Sequence, residues 1–588
     1  QAGMIYRPYR ERSGEKIKAL IQKSLHCTGY DELSLASLST GDHSNIQPLM
    51  MELAEQYKEQ CISISLPSLR VGTLTPEMIK AIAETRKTGF TLAPEAGTER
   101  LRRVINKPVS DHDLMDCAKT IFDSGWNILK LYFMIGLPTE TWEDLDGIIR
   151  LTNDLLNLGK RISKRHVQLN VSVSTFVPKP HTPFQWVTQA TLVEIRKKQE
   201  YLEKGLKKRG ITIKTHNSEA SLLEGVFARG ERALGMVIEE AVRLGCRFDG
   251  WTESFNFNKW RDAFQKYGLD ISDYASRIFR REDQLPWSHI LSGVTIEHLK
   301  SEYEHAFAAE ITENCRINCS ECGIECDAGG MASLGKSDSS DVQHEIGKTA
   351  TLSYRQGIRT KGPRHSNLIR LKYTKVGRVR FLSHLDLMTV FQRAVMRTEI
   401  PILFSQGFNP HPKVAFGPAL AVGMESEAEY LDMEIDAFGD TSKITNVLNT
   451  ALPEGIRILE IRIIPPGTPS LSNSICRYIY EVDISSLYSN DVDTRIQMFL
   501  SQSSVIVERN GKRKDIRPAI ESIALTRDST SAKVDITIQE KQGITARPQD
   551  IIENLFGVGS TESSLFNIRR TAMYINDRGS IKSPLDIV

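Results

Sequence analysis

The sequence predicts an α/β region at residues 1–212 and a separate α+β domain at residues 366–588. In the first region, short β-branched runs alternate with amphipathic stretches, which is the pattern of repeated strand–helix units. Apolar strands that alternate with helices form a parallel sheet, either open or closed into a barrel. A chain of 588 residues also exceeds what one hydrophobic core supports, so two or more domains are expected.

Five strands are predicted in the α/β region, with helices between and after them. The predicted strands span 33–39, 62–69, 89–95, 128–136 and 167–177, and the helix-patterned segments lie near 45–58, 76–86, 111–124, 142–158 and 190–208. Two helix starts carry capping signals. Thr75 precedes a proline at the first helical position, and Thr141 is followed three residues later by Asp144. Because a helix-like segment near 13–26 comes first, one strand of the fold is expected before residue 1.

Three further segments complete the expected organisation. Residues 213–326 are expected to form a packed helical extension that contains several Trp and Phe residues. Residues 327–365 are rich in Gly, Ser, Asp and Lys without periodicity, which is typical of a flexible linker. The domain from 366 onwards mixes predicted helices with predicted strands; the helices lie near 384–398, 442–451 and 548–556, and the strands at 368–373, 379–382, 430–435, 478–482 and 533–538.

The composition is that of an ordinary soluble globular protein, with 40% hydrophobic and 25% charged residues. The net charge of +2 indicates no particular partner. No apolar run approaches the ~20 residues that a membrane-spanning helix needs, so no membrane association is expected. Nine cysteines do not make a disulfide scaffold, so a cytoplasmic location is expected, with clustered cysteines acting as metal ligands.

Small and polar residues follow each predicted strand of the α/β region. Ligands of parallel α/β folds bind at the carboxyl ends of the strands. A small residue lets a ligand approach the backbone, and a hydroxyl or carboxylate group can fix an amino group or a ribose. Any single strand end could equally be a turn, but five in succession predict a ligand pocket at this edge of the sheet.

Several of these segments resemble the radical SAM barrel, whose enzymes cleave S-adenosylmethionine (SAM). The most distinctive are Glu-Ala-Gly-Thr at 95–98, Gly-Leu-Pro-Thr-Glu at 136–140 and the proline-rich segment 176–184. The resemblance covers roughly residues 1–330 and is greatest to the cobalamin-binding radical SAM proteins of uncharacterised function. It implies a (β/α)6-type barrel that binds SAM and a 4Fe–4S cluster, is associated with cobalamin and needs an electron donor.

The resemblance also implies which residues surround SAM. By position, the predicted pocket residues are Ser39, Thr40, Gly41, Arg70, Glu95, Ile135, Gly136 and Phe176. The first three would face the methionine amino group of SAM. The next two would contact its carboxylate or ribose, and the last three would border the adenine.

In that family, the cysteine triad that holds the cluster (Cys-x3-Cys-x2-Cys), the first barrel strand and a cobalamin-binding domain all lie upstream. Residues 1–8 fit the segment that follows the third cysteine. The expectation is therefore an N-terminally truncated enzyme with a partial barrel that lacks its first strand. Such a chain would be inactive alone.

A second cysteine cluster follows the predicted barrel, at Cys315, Cys319, Cys322 and Cys326. Four cysteines within twelve residues indicate a metal or cluster site. The first three repeat the triad spacing, but no barrel follows them, and four ligands could fill every coordination position. An auxiliary 4Fe–4S cluster or a structural zinc ion fits better, and the spacing does not decide between them.

Residues 355–413 are strongly basic, with twelve Lys and Arg residues against two acidic residues. With aromatic residues interleaved, this segment predicts contact with RNA or a translation component, and a solvated basic face is the alternative. Segments 375–386 and 405–413 resemble the radical SAM-linked domain of unknown function. The competing interpretation of the whole chain is a non-enzymatic RNA-binding module with a structural zinc site.

Overall fold

The structure is a computed structural model. It describes residues 2–8, 10–58, 60–65, 75–79, 90–163, 166–315, 317–324, 326, 366–398, 400–405, 410–436, 440–485, 491–509, 511–527, 532–541, 543–563, 565–577 and 579–587. Arg70 and the predicted linker 327–365 lie outside the described residues.

The chain divides into two compact units. The first comprises Gln1–Lys18, Glu32–Lys58 and Ser63–Ser353, and the second comprises Ala19–Asp31, Glu59–Ile62 and Tyr354–Val588. Two short N-terminal segments thus group with the C-terminal unit, which the sequence did not indicate. Among the described residues, no helix combines the length and apolar character that a membrane crossing requires.

The first unit contains a four-stranded parallel sheet. Its strands are β3 (Phe90–Glu95), β4 (Ile128–Ile135), β5 (Gln168–Thr175) and β6 (Ile211–Thr215), in that order. Two short strands, β1 (Glu32–Ser34) and β2 (Ser63–Ser65), pair in parallel as a separate sheet. The predicted parallel sheet is confirmed, and its closure into a barrel stays a prediction.

Side chains alternate along β4 between a buried and an exposed face. Leu129 and Leu131 are buried, whereas Lys130 and Tyr132 are exposed. The same alternation in β5 leaves the polar side chains on one face partly exposed. One face of the sheet therefore packs into the core, and the other is partly exposed and carries both polar and apolar side chains.

The α-helices described up to residue 307 include α1 (Ala2–Ile5), α2 (Gly14–Thr28), α3 (Ile46–Lys58), α4 (Glu99–Val104), α5 (Asp111–Asp123), α6 (Trp142–Ile162), α7 (Leu192–Gly205), α8 (Ser218–Arg229), α9 (Leu234–Arg243), α10 (Phe257–Lys266), α11 (Ile271–Ser276) and α12 (Ile296–Phe307). The predicted capping box of α6 is confirmed, because the Thr141 backbone N–H donates to the Asp144 carboxylate at 2.8 Å. Buried Trp260 and Phe264 belong to the core of the helical extension.

The second unit is built on a nine-stranded mixed sheet. Its strands are β7 (Asn367–Lys375), β8 (Val414–Phe416), β9 (Glu425–Ile435), β10 (Ile458–Ile464), β11 (Ile475–Asp483), β14 (Ile520–Arg527), β15 (Ala532–Gln539), β16 (Ile568–Asp577) and β17 (Ser580–Lys582). The main order is β10-β7-β9-β16-β11-β15-β14. β9 and β16 pair in parallel over two residue pairs, and the other described pairings in this sheet are antiparallel. A hairpin of β12 (Ile506–Arg509) and β13 (Lys512–Asp515) stands apart from it.

The helices of the second unit complete a separate α+β arrangement, as predicted. They are α13 (His384–Met396), α14 (Thr441–Ala451), α15 (Leu471–Ser474), α16 (Val492–Ser501), α17 (Pro548–Phe556) and α18 (Ser560–Ser563). The strand predicted at 379–382 is wrong, because Gly377–Phe381 forms a 3-10 helix. Gly377 has a φ of 67°, so the chain leaves β7 in a turn instead of continuing extended.

Candidate active site

A cavity of about 610 Å³ opens at the carboxyl ends of β4, β5 and β6. Met134, Thr175 and His216 line it, one from each of these strand ends. Parallel strands bring their carboxyl ends to one edge of a sheet, so residues far apart in sequence meet there. The cavity lies at the edge where the sequence predicts a ligand pocket.

Aromatic and aliphatic side chains form much of the cavity wall. The rings of Phe176 and Phe184 meet edge to face, with centroids 5.7 Å apart and planes at 84°. Val104 and Ala306 line the cavity beside them. Apolar walls with a few placed polar groups are typical of small-molecule sites.

Two hydroxyl groups lie at the end of β5. Ser174 Oγ donates to the Phe133 carbonyl at 3.2 Å. Thr175 is 8% exposed, and its Oγ1 has no hydrogen-bond partner among the described residues. Because an unsatisfied buried hydroxyl is costly, Thr175 Oγ1 would gain from a hydrogen bond to a ligand that reaches this strand end.

A polar cluster from the helical extension lines the same cavity. Thr312 Oγ1 donates to Glu302 Oε1 at 2.7 Å, and His305 Nδ1 lies 3.5 Å from the same hydroxyl. Glu302 and His305 are three residues apart on α12 and therefore share a face of that helix. The extension thus contributes ionisable groups to a site that is also lined by strand ends and by Val104 of α4.

The Gly-Leu-Pro-Thr-Glu segment after β4 is organised around its glutamate. The Gly136 backbone N–H donates to both Glu140 carboxylate oxygens, at 2.9 and 3.0 Å, and Lys198 Nζ donates to Glu140 at 2.7 Å. Gly136 has a φ of 80°, which glycine adopts without strain. Burial raises the pKa of Glu140, and Lys198 opposes that shift. Glu140 therefore fixes the loop that follows β4.

The Glu-Ala-Gly-Thr segment begins at the last residue of β3, and close packing requires glycine at its third position. A Cβ on Gly97 would lie 2.0 Å from the Asp144 carbonyl oxygen and 2.5 Å from the Ile148 amide nitrogen. α6 can approach this loop only because residue 97 has no side chain. Glu95, the last residue of β3, has a φ of 69°, which is uncommon for a residue other than glycine. Its carboxylate lies 3.3 Å from Lys107 Nζ.

The structure places the predicted pocket residues in different environments. Phe176 lines the cavity, and Gly136 and Ile135 end the neighbouring strand without being part of the lining. Glu95 is likewise outside the lining. The predicted trio Ser39, Thr40 and Gly41 forms a separate turn, in which Ser39 Oγ donates to Asp42 at 2.6 Å and Thr40 Oγ1 donates to the Leu35 carbonyl at 3.0 Å.

Sequence reasoning missed the contribution of α12 to the cavity. The sequence pattern predicts only a packed helical extension here and does not single out Glu302 or His305. Their three-residue spacing on one helix face was the available signal. It could not be interpreted without knowing that this face lies against the end of β5.

The four-cysteine segment packs against α12 and the N-terminal residues of the first unit. The Thr295 backbone N–H donates to the Cys322 carbonyl at 3.0 Å. Arg7 Nη1 lies 3.1 Å from His298 Nε2 and 3.4 Å from Ser320 Oγ. Among the described residues, no three His, Cys, Asp or Glu side chains are grouped to hold a metal, so the metal site stays a prediction.

Comparisons with known proteins agree with the sequence resemblance in both units. Residues 2–152 match the radical SAM superfamily. Residues 368–548 match the family described as "Uncharacterized protein conserved in bacteria (DUF2344)". The first match contains β3 and β4, and it contributes Met134 and Val104 to the lining of the cavity.

A similar protein is an uncharacterised protein of Methanocaldococcus jannaschii, 32% identical over 268 residues. The alignment covers 46% of this chain and 57% of the relative, so the chain spans less than two thirds of the relative's length. The predicted combination of a radical SAM region with the second, linked domain is therefore supported. Association with cobalamin stays a prediction.

Proposed function

We propose that this chain is the SAM-binding part of a radical SAM enzyme, with its SAM site in the cavity at the carboxyl ends of β4, β5 and β6. The match of residues 2–152 to the radical SAM superfamily carries this proposal. The cavity supports it, because its volume of about 610 Å³ is in the usual range for small-molecule sites. It also lies where parallel α/β folds bind their ligands.

The residues that line the cavity would make different contacts with the adenine, the ribose and the charged groups of SAM. Phe176 and Phe184 would give the adenine an apolar wall, and the unpartnered Thr175 hydroxyl would bond a ribose or carboxylate oxygen. Glu302 would attract the positively charged amino or sulfonium group. These residues bind and orient SAM and exclude water from it.

A 4Fe–4S cluster, when bound, supplies the electron that cleaves SAM, and an electron donor is the partner this implies. Cys315, Cys319, Cys322 and Cys326 are the closely spaced thiols of the sequence. Their donor chemistry fits an auxiliary 4Fe–4S cluster or a zinc ion. We propose that they hold one of these beside α12.

RNA or a translation component is proposed as the substrate class, with support from the basic segment 355–413. Burial and ion pairing limit which basic residues of this segment could contact a phosphate. Arg370 and Lys375 are 0% and 1% exposed, and Lys413 pairs with Glu434 at 2.6 Å. Arg378 is exposed, and Arg355, Arg359, Lys361 and Arg364 lie outside the described residues.

Calorimetric titration of the full chain with SAM tests the proposed site. Thr175→Val and Phe176→Ala should each weaken SAM binding by about tenfold, because they remove a hydrogen bond or an aromatic wall. Lys119→Ala, an exposed change on α5, is the matched control and should bind SAM normally. Undetectable SAM binding by the folded chain, together with RNA binding, would favour the RNA-binding module instead.

A further inference from the structure

A second cavity, of about 710 Å³, lies wholly within the second unit. Segment 418–424 forms one side, and Tyr478 and Tyr480 of β11 form another. Arg570 of β16 and the first residues of α17 close it. None of its lining residues belongs to the first unit, so this cavity is distinct from the proposed SAM site.

One wall of this cavity is aromatic. Tyr478 and Tyr480 lie on the same face of β11, with ring centroids 6.4 Å apart and ring planes at 26°. Burial raises the pKa of Tyr478 to about 12, so its phenol stays neutral and can donate a hydrogen bond near neutral pH. Leu420 and Val422 add aliphatic surface to the lining. A flat, apolar ring system is the ligand group that such a wall accepts.

Arg570 is a buried cation with incomplete hydrogen bonding. It is 2% exposed, and its Nη1 lies 3.4 Å from Glu429 Oε1. Its guanidinium also lies over both tyrosine rings, with Cζ 5.5 and 5.6 Å from their centroids. Among the described residues, Nε of Arg570 has no acceptor. Nη1 and Nη2 of Arg570 also donate to the Pro418 and Ala419 carbonyls, at 3.3 and 3.4 Å, so Nε is the donor of this side chain that a ligand in the cavity would engage.

The N-terminus of α17 lines the cavity and has no side-chain cap. Its N-cap residue, Arg547, makes no capping hydrogen bond, and Pro548 begins the helix. The first-turn N–H groups and the helix dipole therefore favour an anion. The Arg547 side chain is exposed and has no ion pair among the described residues.

Two carboxylates of the lining already have partners. Asp550 pairs with Arg509, and Glu553 accepts a hydrogen bond from Ser563 Oγ at 2.6 Å. Neither carboxylate forms an ion pair with Arg547 among the described residues. The uncapped helix end and Arg547 remain available to a negative group from outside the protein.

We propose that this cavity binds a nucleoside monophosphate. The base lies against Tyr478 and Tyr480, and the phosphate binds the N-terminus of α17 and Arg547. Arg570 and the neutral phenols hydrogen-bond the base or ribose between these two ends. The cavity volume is in the range that encloses a ligand of this size.

Calorimetric titration of the full chain with AMP, GMP, CMP and UMP tests this assignment, with adenosine and inorganic phosphate as partial ligands. At least one monophosphate should bind, and adenosine and phosphate should each bind at least tenfold more weakly. Arg547→Ala should weaken binding about tenfold and abolish the preference for the monophosphate over the nucleoside. Tyr478→Leu should weaken binding of both, because base stacking is lost.

Arg495→Ala is the control variant, because Arg495 is an exposed arginine of the same unit that pairs with Asp491 at 2.7 Å outside the cavity. It should bind the monophosphate as the unmodified chain does. Arg547 is exposed, so its replacement leaves the fold intact. Absence of monophosphate binding, equal affinity for inorganic phosphate, or unchanged affinity in both Arg547→Ala and Tyr478→Leu would each overturn the proposal.

Discussion

Arg370 in β7 donates from Nε and Nη2 to the two carboxylate oxygens of Asp432 in β9, at 2.7 and 2.8 Å. The two residues are direct cross-strand neighbours. Arg370 is fully buried, and its Nη1 also donates to the Pro584 carbonyl at 3.0 Å. The charge of Arg370 is therefore balanced inside the sheet by one carboxylate.

Asp432→Ala should destabilise the second unit by about 3–5 kcal/mol, because it leaves a buried guanidinium without its counter-ion. Hydrogen exchange of peptides from β7 and β9 would measure this loss. Glu460→Ala on neighbouring β10 breaks the exposed pair with Arg462 and should change stability by less than about 1 kcal/mol. Equal exchange rates in the two variants would contradict the role assigned to Asp432.

Gly97→Ala should destabilise the first unit by about 3 kcal/mol or more, because its methyl group would overlap backbone atoms of α6. All six tryptophans precede residue 290 in the first unit, so urea unfolding followed by tryptophan fluorescence reports on this unit. Gly235→Ala is the matched control at an exposed position of α9, where the added Cβ meets nothing within 4 Å. It should stabilise by about 0.5–1 kcal/mol, so the two changes should have opposite signs.

The stability of the first unit should contain a pH-dependent component from Glu140. Its pKa is raised above the ordinary 4.5, so the folded state keeps a proton that the unfolded state has lost. The free energy of unfolding due to this group therefore falls as pH rises through the raised pKa. Urea titrations at a series of pH values would measure the free energy of unfolding. Its decrease with rising pH should be smaller in Glu140→Gln. It should be unchanged in Glu239→Gln, because Glu239 is exposed on α9.

Replacing Cys319 and Cys322 together with Ser should remove metal from the four-cysteine segment. The four thiols lie within twelve residues, so they need little tertiary support to bind a metal. Iron and zinc would be measured after anaerobic purification of the full chain. Cys476→Ser, in the second unit, is the control and should retain the metal. Unchanged metal content in the double variant would refute the site.

RNA binding by the full chain should weaken with salt, because each neutralised phosphate releases counter-ions. Arg378→Ala should flatten the log–log slope for bulk tRNA by about one unit if this exposed arginine contacts a phosphate. Arg462→Ala, which removes an arginine already paired with Glu460, should not change the slope. No binding at low salt would leave segment 355–413 as a solvated surface.

The secondary-structure elements that are best predicted from the sequence are those whose residue pattern is local. The bounds of β4 and β5 differ from the predicted strands by one or two residues, because apolar residues that recur along both segments are a local signal. β6 was not predicted, since it is a short edge strand without a fully buried residue. The basic run containing Arg370 and Lys375 suggested a surface, yet both side chains are buried. Only the tertiary pairing with residues such as Asp432 explains that burial.

The sheet of the second unit has a mechanical weak point at its one described parallel pairing. β9 and β16 are registered only at Arg569 with Glu425 and at Arg570 with Ser426. Charged side chains reinforce this junction, as in the contact of 3.0 Å between Arg569 and Glu425. A pulling force across the sheet would separate its two antiparallel halves here before either half unravels. Because the second cavity takes its walls from both halves, an occupant would act as a cross-link that raises the rupture force.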